Sequence, residues 1–171
     1  MTNLEEFRNN AIAKGLCQNY TNMWSDDKSK LQLFKLACDA NAVEFMAKSY
    51  SEGWGLSSEY ITDKFKAYIN GKYICEYKND KGNGYNSTIL CKYEEEVFNV
   101  NTTLLCVLES DVQLKIDGYH ICKIYIAGNS HIDIKLGEKS ICYVYVYGEE
   151  PMITGDKVTL KRFMKGEEYD G

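Results

Sequence analysis

Residues 111–130 and 131–150 superpose on one another without a gap, and no other property of the chain restricts its fold so narrowly. Lys115 falls on Lys135, Ile121 on Ile141, Cys122 on Cys142, Tyr125 on Tyr145 and Gly128 on Gly148. Between them Val112, Leu114, Ile116, Ile124 and Ile126 fall on Ile132, Ile134, Leu136, Val144 and Val146. Degenerate copies flank these: Leu104 and Cys106 stand one period before Ile124 and Ile126, and Met152 one period after Ile132. Stacked solenoid coils produce such a pattern, because each coil lays its inward side chains on those of the coil below. Turns at Asp117-Gly118, Gly128-Asn129, Gly137-Glu138 and Gly148-Glu149 also suit strands of an antiparallel meander or sandwich. The expected architecture is a short β-solenoid, with the antiparallel meander or sandwich as its alternative.

Under either topology the strand parity is readable. If Cys142, Val144 and Val146 point inward, Tyr143, Tyr145 and Tyr147 point outward, beside Lys123 and Tyr125 of the previous repeat. This aromatic stripe either docks on the rest of the chain or lies open as a contact surface, for which tyrosine is suited by its large area and few rotamers. Upstream, Tyr73–Tyr77 and Tyr85–Tyr93 around the turn-rich 79–84 predict a hairpin.

The period changes before residue 72. Thr2 and Glu5 have capping-box spacing ahead of Leu4, Phe7 and Ala11, predicting a helix to Lys14 that Gly15 ends. A short helical turn at 20–24 follows, then a helix capped by Ser29 with Leu33, Leu36, Ala37 and Ala40 on one face. Ala42–Glu52 makes a third helix, broken at Gly53-Trp54-Gly55. Ser57 or Ser58 caps a last one carrying Ile61, Phe65, Tyr68 and Ile69 up to Asn70-Gly71. The fold class is therefore α+β: an N-terminal small helical bundle over 1–71, a β-repeat module over 72–164 (hairpin 73–93, repeats 97–164) and an acidic tail over 165–171.

Composition excludes several function classes. The formal net charge of −5 disfavours nonspecific attraction to phosphate backbones, and the basic group Lys157, Lys161, Arg162 and Lys165 is partly offset by the tail behind it. The segment 45–69 resembles a helix-turn-helix, but Glu59 and Asp63 flank Lys64 and Lys66 where a base-reading helix needs net donors. The seven cysteines include no C-x-x-C pair and read as reduced thiols, mostly buried. The acidic start lacks a secretory pattern and no apolar run would cross a bilayer, so a cytoplasmic location and no membrane partner are expected. Gly82-Asn83-Gly84 precedes a strand and not a helix, so it lacks the dipole of a phosphate cradle. His120 and His131 sit at turns, unmarked by any nucleophile spacing. No cofactor, metal or catalytic residue is assigned.

The residues Gly15-Leu16-Cys17, Tyr20, Trp24, Ser29-Lys30, 36–41 (LACDAN), 53–61 (GWGLSSEYI) and 68–73 (YINGKY) resemble those of a group of short proteins encoded in gut-bacterial prophages and mobile elements. Those proteins also join a helical head to a β-repeat tail. The resemblance implies a genetic context and carries over no functional residue. The reading reached is a noncatalytic protein-interaction module of that type, one that inhibits a host component, with Tyr125, Tyr143, Tyr145, Tyr147, Lys123 and Trp54 as contact residues. Its alternatives are a nucleic-acid-binding regulator using the head and an enzyme acting on a small polar substrate or glycan. A protein partner is expected over nucleic acid, and self-association into a homo-oligomer stays open.

Overall fold

The 20-residue period is one coil of a β-solenoid of about three turns, and helices cover one of its faces. The computed structural model describes residues 3–78, 80–148, 151–155 and 158–163. Thr2, Lys157, Lys165 and the acidic tail lie outside the described residues. The chain runs through α1 (Leu4–Ala13), α2 (Gln18–Met23), α3 (Lys30–Ala37), α4 (Ala40–Ser51) and α5 (Ser58–Lys64). Then come β1 (Cys75–Lys78), β2 (Gly84–Cys91), β3 (Val97–Asn99), β4 (Leu104–Leu108) and β5 (Asp111–Ile116). The last strands are β6 (Ile121–Ala127), β7 (His131–Leu136), β8 (Ile141–Tyr147), β9 (Met152–Gly155) and β10 (Thr159–Phe163).

Each coil contributes one strand to a six-stranded sheet, ordered β1-β2-β4-β6-β8-β10, and one to a four-stranded sheet, ordered β3-β5-β7-β9. All pairings are parallel except the β1–β2 hairpin, so the antiparallel meander is ruled out. Cys122 pairs with Cys142, Ile124 with Val144 and Ile126 with Val146, matching the sequence repeat. Val112, Leu114 and Ile116 pair likewise with Ile132, Ile134 and Leu136. These side chains fill the space between the sheets. Each Leu, Ile or Val buried there is worth about 1.5–3 kcal/mol.

The flanking coils depart from the period. Leu105 and Val107 pair with Ile124 and Ile126, so Leu104 and Cys106 are not the inward residues expected from a strict repeat; they face the helices. The corner Glu109-Ser110 is one residue shorter than Gly128-Asn129-Ser130. Met152 likewise stands beside His131, and Ile153 takes the position over Ile132. Where the corner is shared, it is built from serine: the Ser130 hydroxyl accepts from the Ser110 amide (3.2 Å), and the Ser110 hydroxyl from the Tyr93 amide (3.1 Å). Both serines are buried, so the corner amides are satisfied without water.

Local chemistry accounts for the helix ends. The α1 cap is Asn3, whose side chain accepts from the Glu6 amide at 2.9 Å, and α3 has a complete capping box between Ser29 and Gln32. Ser57 caps α5. That helix stops at Lys64, short of the expected Asn70, because the chain leaves it to cap the sheet. Asn70 takes a left-handed conformation (φ 58), its amide donates to the Ile89 carbonyl (2.8 Å), and its side chain pairs with both backbone groups of Cys91 (2.8 and 3.1 Å). Asn70 thus stands in for a strand along β2 beyond the reach of β1. The helices do not bury their apolar stripes only against each other. Phe34, Val43, Met46 and Ala47 share one core with Ile89, Cys91, Cys106 and Tyr125 from the outer face of the larger sheet.

Candidate interaction surface

The outer face of the six-stranded sheet is built by alternation, so its composition follows from the inward register. On β6 it presents Ile121, Lys123, Tyr125 and Ala127, and on β8 Ile141, Tyr143, Tyr145 and Tyr147. The helices divide this face in two.

At the strand C-termini the helices sit directly on it. Tyr125 is 6 % and Tyr147 4 % exposed, and both belong to the core shared with the helices. Tyr145 is half-buried and stacks on Tyr125 with ring centroids 5.0 Å apart. The Tyr147 hydroxyl donates to Glu44 Oε1 of α4 at 2.6 Å, and burial together with that carboxylate raises its pKa. Of the two fates open to the stripe, docking is the one these rings take.

At the strand N-termini the face is uncovered. Ile121 is 59 %, Ile141 47 % and Tyr143 37 % exposed, with Lys123 exposed between them. Ile121 is the register partner of Ile141 and Lys123 of Tyr143, so these side chains stand in adjacent rows at strand spacing, about 4.8 Å. Tyr119 projects from the preceding turn, with Lys139 Nζ 4.6 Å from its ring centroid. Tyr143 and Lys123 were legible candidates. Ile121, Ile141 and Tyr119 were missed, although the parity that turns Cys122 and Cys142 inward turns both isoleucines outward.

Trp54 is a plug. Its ring stacks on Phe7 (centroids 6.1 Å, 15°) and meets Phe45 edge-on (5.2 Å, 69°), and its indole N–H donates to Glu52 Oε2 at 2.5 Å. Nearby, Phe7, Leu16, Tyr20, Trp24, Phe45 and Met46 line an apolar cavity of about 140 Å³.

At its covered end the sheet is joined to the helices by a polar staple. The residues that follow β2, β4, β6 and β8 turn left-handed: Lys92 (φ 50), Glu109 (φ 44), Gly128 (φ 73) and Gly148 (φ 89). Two coils use glycine there. The other two accept roughly 1–2 kcal/mol of backbone strain, and those two side chains tie the head down. Glu109 accepts from the hydroxyls of Tyr50 and Ser58 (2.8 Å for Ser58), and Lys92 bridges to Glu59 at 2.7 Å. The Lys92 ammonium holds the Glu59 carboxyl down at about 2.

Several further polar groups are engaged with one another. Over the four-stranded sheet a shallow trough runs past Asp111, Gln113, His131, Asp133 and Thr154, and Asp133 accepts from Gln113 and Thr154 (both 2.9 Å) and pairs with Lys135 (3.2 Å). His120 Nε2 lies 2.6 Å from the Thr102 carbonyl oxygen. On the helix-turn-helix-like segment Lys64 pairs with Asp63 (3.0 Å) and Glu59 with Lys92, so α5 offers few uncommitted cations to a phosphate. Among the described residues no group of three or more His, Cys, Asp or Glu forms a metal site, and no helix is long and apolar enough to cross a membrane. No family model, curated protein or solved structure matches the chain.

Proposed function

We propose that this chain is a noncatalytic protein-interaction module of phage or mobile-element type, which docks on a host protein and inhibits it. The contact surface in this reading is the uncovered end of the larger sheet: Ile121, Ile141 and Tyr143, with Tyr119 and Lys123 at its border. One observation carries the reading. Large apolar side chains occupy outward positions in register on two neighbouring strands, on the part of the face that the helices leave open. The backbone beneath these three apolar groups is already ordered in the sheet, so a partner meets only the cost of fixing their side chains, which is the economy a preorganised surface offers. The tyrosine adds an anchor of large area.

A photo-crosslinking amino acid placed at Tyr143 is expected to yield a discrete protein adduct in the native host. The same group at Lys135, exposed on the opposite sheet, is expected to yield none. Adding Ile121→Ser and Ile141→Ser should remove the Tyr143 adduct while leaving the unfolding transition in place, since exposed substitutions shift stability by about 0.5 kcal/mol or less. Equal adducts from both positions, or an adduct that survives the double substitution, would reject this surface.

A further inference from the structure

Two thiols meet where the helical layer joins the first hairpin. Cys38 caps the C-terminus of α3 and is fully buried, while Cys75 opens β1 and keeps 7 % exposure. Ser87 brings them together: it is the strand partner of Cys75, and its hydroxyl donates to the Cys38 carbonyl at 2.7 Å. Both side chains lie in the same buried core, near enough for each thiol to shift the ionisation of the other. We propose that Cys38 and Cys75 form a site of reversible oxidation, closing a disulfide between α3 and β1 when the protein meets hydrogen peroxide.

Cys75 is the thiol that ionises. The neighbouring Cys38 thiol and the positive potential of Lys35 favour its thiolate; burial and the Asp39 carboxylate oppose them, and the balance lowers the Cys75 pKa. Cys38 keeps its proton, because burial and the neighbouring Cys75 raise its pKa. The pair therefore holds one nucleophile and one resolving thiol. The Cys75 thiolate attacks a peroxide oxygen, the O–O bond breaks, hydroxide leaves and takes up from water the proton that Cys75 released on ionising, and Cys75 becomes a sulfenic acid. The Cys38 sulfur then attacks the Cys75 sulfur: the S–S bond forms, the S–O bond breaks, and the departing hydroxyl takes the Cys38 proton as water. Two thiols and one peroxide become a disulfide and two waters, and a thiol reductant reverses the change. Cys122 and Cys142 also adjoin, as strand partners inside the solenoid, but nothing there favours a thiolate. Burial pushes Cys91 and Cys142 up to about 12 and raises Cys106 and Cys122 as well, which keeps them protonated.

The test uses the full chain carrying Cys17→Ser, a change at an exposed position that prevents coupling between molecules. After hydrogen peroxide, alkylation and digestion without reductant, mass spectrometry is expected to find the Cys38 and Cys75 peptides joined, and dithiothreitol should separate them. Adding Cys38→Ser should leave a dimedone-trapped sulfenic acid on Cys75, whereas adding Cys75→Ser should leave no trapped acid on Cys38. Absence of the joined pair in the Cys17→Ser protein would overturn the proposal. So would a link from Cys38 to Cys106, the other thiol whose charge reaches it.

Discussion

Tyr147→Ser is expected to destabilise the protein by about 3–5 kcal/mol, the range for removing a large buried ring. Its ring lies between β8 and the helices, and its hydroxyl supplies a donor to the half-buried Glu44 carboxylate. Serine removes both the packing and the donor, and the carboxylate is then left to find water in a space the helices close. Tyr143→Ser, two positions earlier on the same strand and the same face, is expected to change stability by about 0.5 kcal/mol or less, because its ring is exposed. Denaturant unfolding of the two variants side by side reads the difference. Similar losses would mean that the helices do not cover the face as described.

Gly55→Ala is expected to cost about 3 kcal/mol, at the upper end for overpacking. A Cβ there would stand 2.6 Å from the Tyr50 amide nitrogen and 2.7 Å from the Ser49 carbonyl carbon, both backbone atoms that cannot turn aside. The close approach exists because the Gly55 amide donates to the Ser49 carbonyl (2.8 Å), folding the chain back over the end of α4 to seat Trp54 on Phe7 and Phe45. Gly53 is glycine for a different reason. It has φ 79 with open space around it, so Gly53→Asn, which tolerates that conformation, should be nearly neutral. Thermal melts of the two variants separate steric contact from backbone conformation within one short segment.

The coil was legible because parallel stacking repeats an environment: Cys122 and Cys142, or Ile124 and Val144, see the same neighbours one layer apart, so selection for packing writes the same residue class twice. The outer coils were misaligned by one residue because their corners change length, and a corner leaves no apolar signature. Helix starts were readable from Ser29 and Ser57, which act locally. The end of α5 was not, because Asn70 answers to Ile89 and Cys91 on a distant strand. Parity could say that Tyr125 and Tyr147 leave the solenoid interior, yet not whether water or a helix waits outside. Attention to tyrosine also passed over Ile121 and Ile141, whose outward position is the less ordinary one for an apolar side chain. The meeting of Cys38 with Cys75 depends on the hairpin docking beside α3, which no local pattern encodes.

Residue-resolved tyrosine modification of the native protein tests most directly whether one end of the larger sheet is covered and the other open. Acylation by N-acetylimidazole, followed by fragmentation mass spectrometry, is expected to label Tyr119 and Tyr143 in the folded protein and to reach Tyr125 and Tyr147 only on unfolding. Labelling of Tyr125 and Tyr147 at the rate of Tyr119 in the folded protein would contradict the division of that face, and with it the assignment of the contact surface.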